Sequence, residues 1–309
     1  MGVPISEQFQ GYFPQPEETE KFVAGLRYPT IAQGGPKLRA SDNDALLYKA
    51  LLAVKPNYSR VAQAIGSCVG HGYALAVDIL SAVEIAVHGE AEDWPGRTLE
   101  ASIYGFSRVE ARNKTRAGRG DGSYGGAACK ALMKYGCLHY NVDYDGEKFI
   151  KYSGKREKEW GDTGVPDRLE PFAKKRLVRE TTRVKSFDDC AKALSSGYPL
   201  SFCSNYGFTN FKRDDDGFCR RRGSWSHCMA GISYRGGRRP GVLICNSWGP
   251  RSNSGPHYPD NMPIFFRGCT FWVDADDIDG MCRQNDSFAL SGYDGFPPRK
   301  LPDWTGGLL

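Results

Sequence analysis

"SWSHCMAGISYRGGRRPGVLICNSWGP", residues 224–250, decides how the rest of the chain is read. Two apolar runs, "SHCMAGISY" and "GVLICNSW", flank the turn segment "RGGRRP". Short apolar runs on either side of a Gly- and Pro-containing turn predict two antiparallel strands. His227 then opens the first strand and Asn246 ends the second. Antiparallel pairing brings the two side chains to one place. An amide beside an imidazole holds the ring in one orientation, which proton transfer needs.

Such a pair calls for a nucleophile, and "AIGSCVGHGYALAV", residues 64–77, offers one. Cys68 follows a Gly-Ser turn. Beyond it, Leu75, Ile79, Leu80, Val83 and Val87 recur at three- and four-residue spacing. That spacing predicts a helix over 69–88, with Gly89 as its stop. A helix N-terminus lowers a thiol's pKa through its dipole and free N–H groups, and an imidazolium lowers it further. Taken alone, a cysteine before a helix reads as a small buried hydrophobe. A register shifted by three would put His71 at the nucleophile position and leave no thiol there. Gly-Ser directly before Cys68, and small residues after it, favour Cys68.

The other segments give a coarse layout. Residues 1–57 read as a Pro- and Gly-rich arm with one helical patch, "NDALLYKALLAV", capped by Asp42 or Asn43. "LEASIYGFSRVEARN" and "GGAACKALMKYG" predict two further helices, the second ending at Gly136. Residues 141–180 are charged, with few apolar positions, and read as a connector or insertion. "RVKSFDDCAKALSSG" reads as a strand edge, a cap at Ser186 and a short helix. "YPLSFCSNYG" and "GCTFWVDA" are strands. Helices therefore dominate the first half and strands the second, an α+β layout without βαβ alternation.

"NSWG" after an apolar strand, with "SH" opening the strand before it, resembles the papain-like cysteine peptidases. "GSC" at 66–68 matches the core of that family's nucleophile segment, and "IGSCVGHGYA" is closest to its bacterial and phage branch. "ASIYGFSRVEAR", "DGSYGGAACKALMKYG" and "SFDDCAKALSSGYPLSF" extend the likeness over roughly residues 58–296. The resemblance implies a two-lobe fold: an arm (1–57), a helical left lobe (58–170), an antiparallel, β-barrel-like right lobe (171–296) and a tail (297–309). It implies Cys68 as nucleophile, His227 as general base and then acid, and Asn246 as the group orienting His227. Trp248 would shield that bond from water, with Ser67 also in a supporting place. The backbone N–H of Cys68 would give one oxyanion donor. The reaction is amide or peptide hydrolysis through a thioester acyl-enzyme. It needs no metal or other cofactor.

Several positions depart from the family pattern. Its second oxyanion donor is a glutamine six residues before the nucleophile; here that position is Ala62, and Gln63 stands five before. Either the loop is one residue shorter and Gln63 reaches in, or the donor is lost. Val69 replaces the usual aromatic, and Ile65 a disulfide-forming cysteine. After "NSWG" an insertion, "PRSNSGPHYPDNMPIFFRG", stands where access to the cleft could be restricted. The classical inhibitory propeptide is not evident in the short arm.

The chain has 309 residues, 40% hydrophobic and 25% charged, with a net charge of +5. This is a globular composition, too weakly basic to indicate nucleic acid. No run approaches the roughly 18 apolar residues of a membrane span. Gly2 and Ser6 fit only a loose myristoylation pattern. Ten cysteines with no signal-peptide pattern at the start fit reduced thiols, in a cytoplasm or in a particle assembled there. His71, His88, His139 and His257 read as packing or surface residues. Expected partners are a protein or peptide substrate, or neighbouring subunits of an assembly. The rival function is a catalytically weak or inactive papain-fold structural protein, such as one of a phage virion. A cleft occluded by the arm or by residues 250–268 would favour that rival, an open cleft with Cys68 and His227 at hydrogen-bond range would favour the enzyme, and a peptidoglycan amidase would use the same triad on another substrate.

Overall fold

A computed structural model describes residues 9–35, 37–89, 93–118, 120–208 and 212–303. The Gly2/Ser6 pattern and the last residues of the tail lie outside them. The longer helices are α1 (Pro16–Ala24), α2 (Tyr48–Val54), α3 (Cys68–His88), α4 (Glu100–Arg108), α5 (Gly125–Lys134) and α6 (Gly154–Thr163). After them come α7 (Phe187–Ser195) and α8 (Ala275–Cys282). A small hairpin pairs β1 (Asp143–Tyr144) with β2 (Glu147–Lys148). The main sheet comprises β3 (Glu180–Arg183), β4 (Leu200–Phe208), β5 (Arg221–Arg235), β6 (Gly241–Cys245), β7 (Thr270–Asp274) and β8 (Ser287–Ser291). Its strand order is β3-β8-β4-β5-β6-β7, antiparallel throughout.

Helix α3 is the axis of the molecule. Its residues from Cys68 to Leu80 are buried on every side. It can lie that deep because glycines replace side chains where neighbours press closest. A Cβ on Gly70 would meet Glu100 O and Tyr104 Cβ at 2.9 Å, and one on Gly72 would meet Cys228 Sγ at 3.0 Å. The helix ends as expected at Gly89, which takes φ +64°, a left-handed conformation that glycine adopts without strain. At 21 residues it is long and apolar enough to span a bilayer, contrary to the sequence expectation, but it is packed inside the protein. Leu75, Ile79, Ala82 and Val83 face the core shared with the sheet and α2, while Val69, Tyr73 and Ala76 join a cluster with α5.

Four expectations are corrected. The right lobe is an open sheet with ends at β3 and β7, not a closed barrel. Both ends are covered. Thr30 bridges Arg183 on β3, while Cys219 donates to Trp272 O on β7 and Trp272 donates to Gly217 O, each at 3.0 Å. Residues 141–180 are no connector: Phe149, Trp160, Val165 and Leu169 join the buried core around α4. The helical patch in the arm starts only at Tyr48, and neither Asp42 nor Asn43 caps it. The arm also carries an unforeseen helix, α1, opened by Pro16 and docked on α5. Ser186 does cap α7, accepting from Asp189 N at 3.2 Å.

Candidate active site

The site lies where the start of α3 meets β5 and the end of β6. Register pairs Ser204 with His227 and Ala230 with Cys245, so the β5–β6 pairing carries Asn246 to the His227 ring. His227 Nε2 donates to Asn246 Oδ1 at 2.8 Å, and the same oxygen accepts Ser247 N–H at 2.7 Å. That bond fixes the tautomer and leaves the Nδ1 lone pair without a hydrogen bond. The Trp248 ring lies 4.3 Å from the imidazole, centroid to centroid, and Trp225 packs behind it at 5.0 Å. Burial pushes the His227 imidazole down to about 4, against the opposing pull of Asn246. The ring is therefore neutral at pH 7 and able to accept a proton.

Cys68 is the first residue of α3 and is fully buried. Burial pushes its thiol up, the neighbouring Cys228 adds to this, and the backbone N–H groups of Cys228, Gly11 and Val69 oppose it. No hydrogen bond joins Cys68 to His227 among the described residues. Cys228 shares the buried cluster of Cys68.

What covers the thiol is the arm. Gly11 and Tyr12 donate their N–H groups to Ser226 O, both at 3.1 Å. Ser123 N donates to Gly11 O and Phe13 N to Ser123 O, each at 2.9 Å. Ser226 N donates to Gln10 Oε1 at 3.2 Å. Most telling is Gln63, whose Nε2 donates at 2.8 Å to Phe9 O, a peptide carbonyl, and also to Ile65 O. Ala62 stands aside against Gly249. The arm is thus held by backbone groups, which show no pattern in the sequence. The 250–268 insertion lies elsewhere, on the β6–β7 end of the sheet. There Arg213 donates to the carbonyls of Gly255, Pro256, Arg267 and Thr270.

Tyr12 is buried in the same cluster as Cys68, beside Asp286. The Asp286 carboxylate accepts from Gly125 N at 2.8 Å, Gly126 N at 2.9 Å and Thr19 Oγ1 at 3.1 Å. Burial raises this carboxyl to about 7, although those donors and Tyr12 pull it down. Sequence reasoning missed Asp286, Glu157 and the arm contacts. Glu157 stands in "GKREKEWGDT", where charge on every side hides the one buried face.

No protein-family profile matches the sequence, and no curated protein matches it. Solved structures do. Xylellain, a cysteine protease from Xylella fastidiosa, superposes with a TM-score of 0.50 at 16% identity, covering 94% of each chain. A procathepsin B from Trypanosoma congolense gives 0.53 at 11% identity, over 94% of this chain and 89% of the other. A structure from work on the mite allergens Blo t 1 and Der p 1 gives 0.51 at 12% identity, over 93% and 82%. The chain has the two-lobe fold of the papain-like cysteine proteases.

Proposed function

We propose that this chain is a cysteine peptidase held closed by its own arm. Lobes 58–170 and 171–296 flank the cleft. In this reading Cys68 attacks the scissile carbonyl as a thiolate and His227 takes the thiol proton. His227 then protonates the leaving amine, and water resolves the thioester with His227 as base. Asn246 keeps the imidazole oriented beneath Trp248, and Ser67 supports the nucleophile turn. Gln63 Nε2 and the Cys68 backbone N–H stabilise the oxyanion. One observation carries the reading: Gln63 already donates to a peptide carbonyl, Phe9 C=O, on the arm segment laid over the nucleophile turn. A cleft that holds backbone in this way is built to bind extended peptide. The substrate is accordingly a protein or peptide, reached once residues 9–13 lift away.

The test is labelling of the full chain with an epoxide-type thiol-protease inhibitor, followed by peptide mapping. Single-site labelling at Cys68 that is lost in His227→Ala is expected. Slow labelling spread over several of the ten cysteines would refute the reading. That result would favour a second reading, a papain-fold assembly protein without activity. The arm laid across the cleft, the full burial of Cys68 and its missing bond to His227 speak for that alternative.

A further inference from the structure

One residue before Asn246, two buried thiols face each other. Cys245 Sγ lies 3.5 Å from Cys269 Sγ. Cys245 closes β6 and pairs with Thr270 on β7, so Cys269 stands just before that strand. The backbone already joins the two segments, since Asn246 N donates to Cys269 O at 2.8 Å. The sulfurs of a disulfide stand about 2 Å apart, so a short approach separates this pair from one.

What sets the pair apart is the charge around it. The Arg60 guanidinium donates from Nη2 to His71 O at 3.1 Å, and its Nε is buried without a hydrogen bond. The titratable groups facing Arg60 are Cys245, Tyr58, Glu100 and Cys269. Glu100 is already paired with Arg97 at 3.5 Å. A second cation, Arg213, faces Cys269. Burial pushes the Cys245 thiol up, but the Cys269 thiol and the Arg60 guanidinium outweigh it, and the net direction is down. Cys269 goes up, because it keeps the shared proton beside Cys245 and burial adds to this.

Another pair of thiols supplies the contrast. Cys190 Sγ on α7 and Cys282 Sγ on α8 are 3.6 Å apart and also buried. Burial, the hydrogen bond with Cys282 and the carboxylates Asp189 and Asp279 all push Cys190 up. Spacing and burial are alike in the two pairs; the sign of the nearby charge is reversed.

We propose that Cys245 and Cys269 are an oxidative modification site, at which hydrogen peroxide oxidises Cys245 and Cys269 closes the disulfide. The Cys245 thiolate attacks one peroxide oxygen, the O–O bond breaks, and hydroxide leaves with the electron pair. The Cys269 sulfur then attacks the sulfenic acid; the S–O bond breaks, and the thiol proton leaves with the hydroxyl as water. In sum, two thiols and one peroxide give a disulfide and two waters. A cavity of about 610 Å³ in the insertion is lined by Pro250, Asn253, Arg267 and Gly268, the last directly before Cys269. A molecule as small as peroxide needs only a local opening from there. The bridge ties the residue before Asn246 to the point where the insertion rejoins the sheet. The inference does not rest on Cys68 being the nucleophile.

The experiment treats the reduced full chain with limiting hydrogen peroxide at pH 7, quenches with N-ethylmaleimide and follows each linked peptide by mass, with thermal unfolding in parallel. The 245–269 link should form at least about threefold faster than the 190–282 link. Each unit of thiol pKa changes the thiolate fraction about tenfold, and nucleophilicity offsets part of that. Arg60→Gln keeps an amide donor without the charge; it should slow the 245–269 link by about threefold and leave the 190–282 link unchanged, while Arg60→Lys restores the rate. A merely structural role for Arg60 predicts the opposite, since loosening would speed both links. In Cys269→Ser, dimedone should trap a sulfenic acid at Cys245; in Cys245→Ser it should leave Cys269 unlabelled. Equal rates at the two pairs, oxidation with no 245–269 link, or label on Cys269 overturns the proposal. If Arg60→Gln does not fold, the comparison of the two wild-type pairs and the dimedone labelling carry the test.

Discussion

Gly11→Ala should open the cleft. A Cβ on Gly11 would stand 1.9 Å from Gly66 O and 2.3 Å from Gly66 C, both backbone atoms of the nucleophile turn. Gly66 is itself tied down, its N–H donating to Asp121 Oδ2 at 3.3 Å. The methyl group must therefore push residues 9–13 outward. Overpacking of this kind costs about 1–3 kcal/mol. Displacement also breaks the bonds to Ser226, Ser123 and Gln63, but each is exchanged for a bond to water, so the net loss is small. A middle value of about 2 kcal/mol raises the open fraction about thirtyfold, at about 1.4 kcal/mol per factor of ten. The assay is the rate of Cys68 alkylation by limiting reagent, mapped by mass, since opening precedes reaction. Cys190, also fully buried but packed against Cys282 in the other core cluster, serves as the internal control. The reasoning is refuted if Cys68 in Gly11→Ala reacts at the wild-type rate, or if Cys190 accelerates equally.

Three further outcomes follow from the geometry. Gln63→Ala removes a side chain that binds Phe9 O and accepts from Ser247 Oγ, so it should loosen the arm while lowering acylation by about a hundredfold. Single-turnover kinetics separate the two effects, and an unchanged acylation rate would remove Gln63 from the oxyanion site. For His227 the folded value of about 4 lies below the ordinary 6.5, so the unfolded chain binds the proton first. The contribution is intact above about pH 6.5 and is lost as pH falls toward 4, up to about 3 kcal/mol. Urea midpoints across that window should fall less steeply in His227→Gln than in wild type; equal slopes would contradict the assignment. Arg213→Lys cannot serve the four carbonyls that the guanidinium reaches and should cost about 2 kcal/mol, read as a lower Tm.

The parts of the site that depend on local pattern were legible in the sequence. A turn between two apolar runs brought His227 and Asn246 together, and an apolar helix after Gly-Ser put Cys68 at its start. What escaped depends on long-range geometry. Closure of a sheet into a barrel turns on strand tilt and the covering of its ends, which alternation does not encode. Residues 9–13 hold the cleft through main-chain groups, which every sequence possesses. Glu157 escaped for the opposite reason: its chemistry is conspicuous, but a buried acid in a charged helix looks like a solvated one until its neighbours are known. For Gln63 the sequence left open whether it reaches in or the donor is lost; its amide donates to the arm carbonyl Phe9 O.

The covered ends of the main sheet bear on how copies of this chain can associate. A bare strand margin is a template on which another molecule can add its own backbone, and fibrils grow that way. Here the margin at β3 is occupied by Thr30 and the margin at β7 by the 217–219 segment. Polymerisation by strand addition would first have to strip these covers. At these two margins, self-association of the folded chain is thereby left to side chains, whose complementarity sets both stoichiometry and orientation.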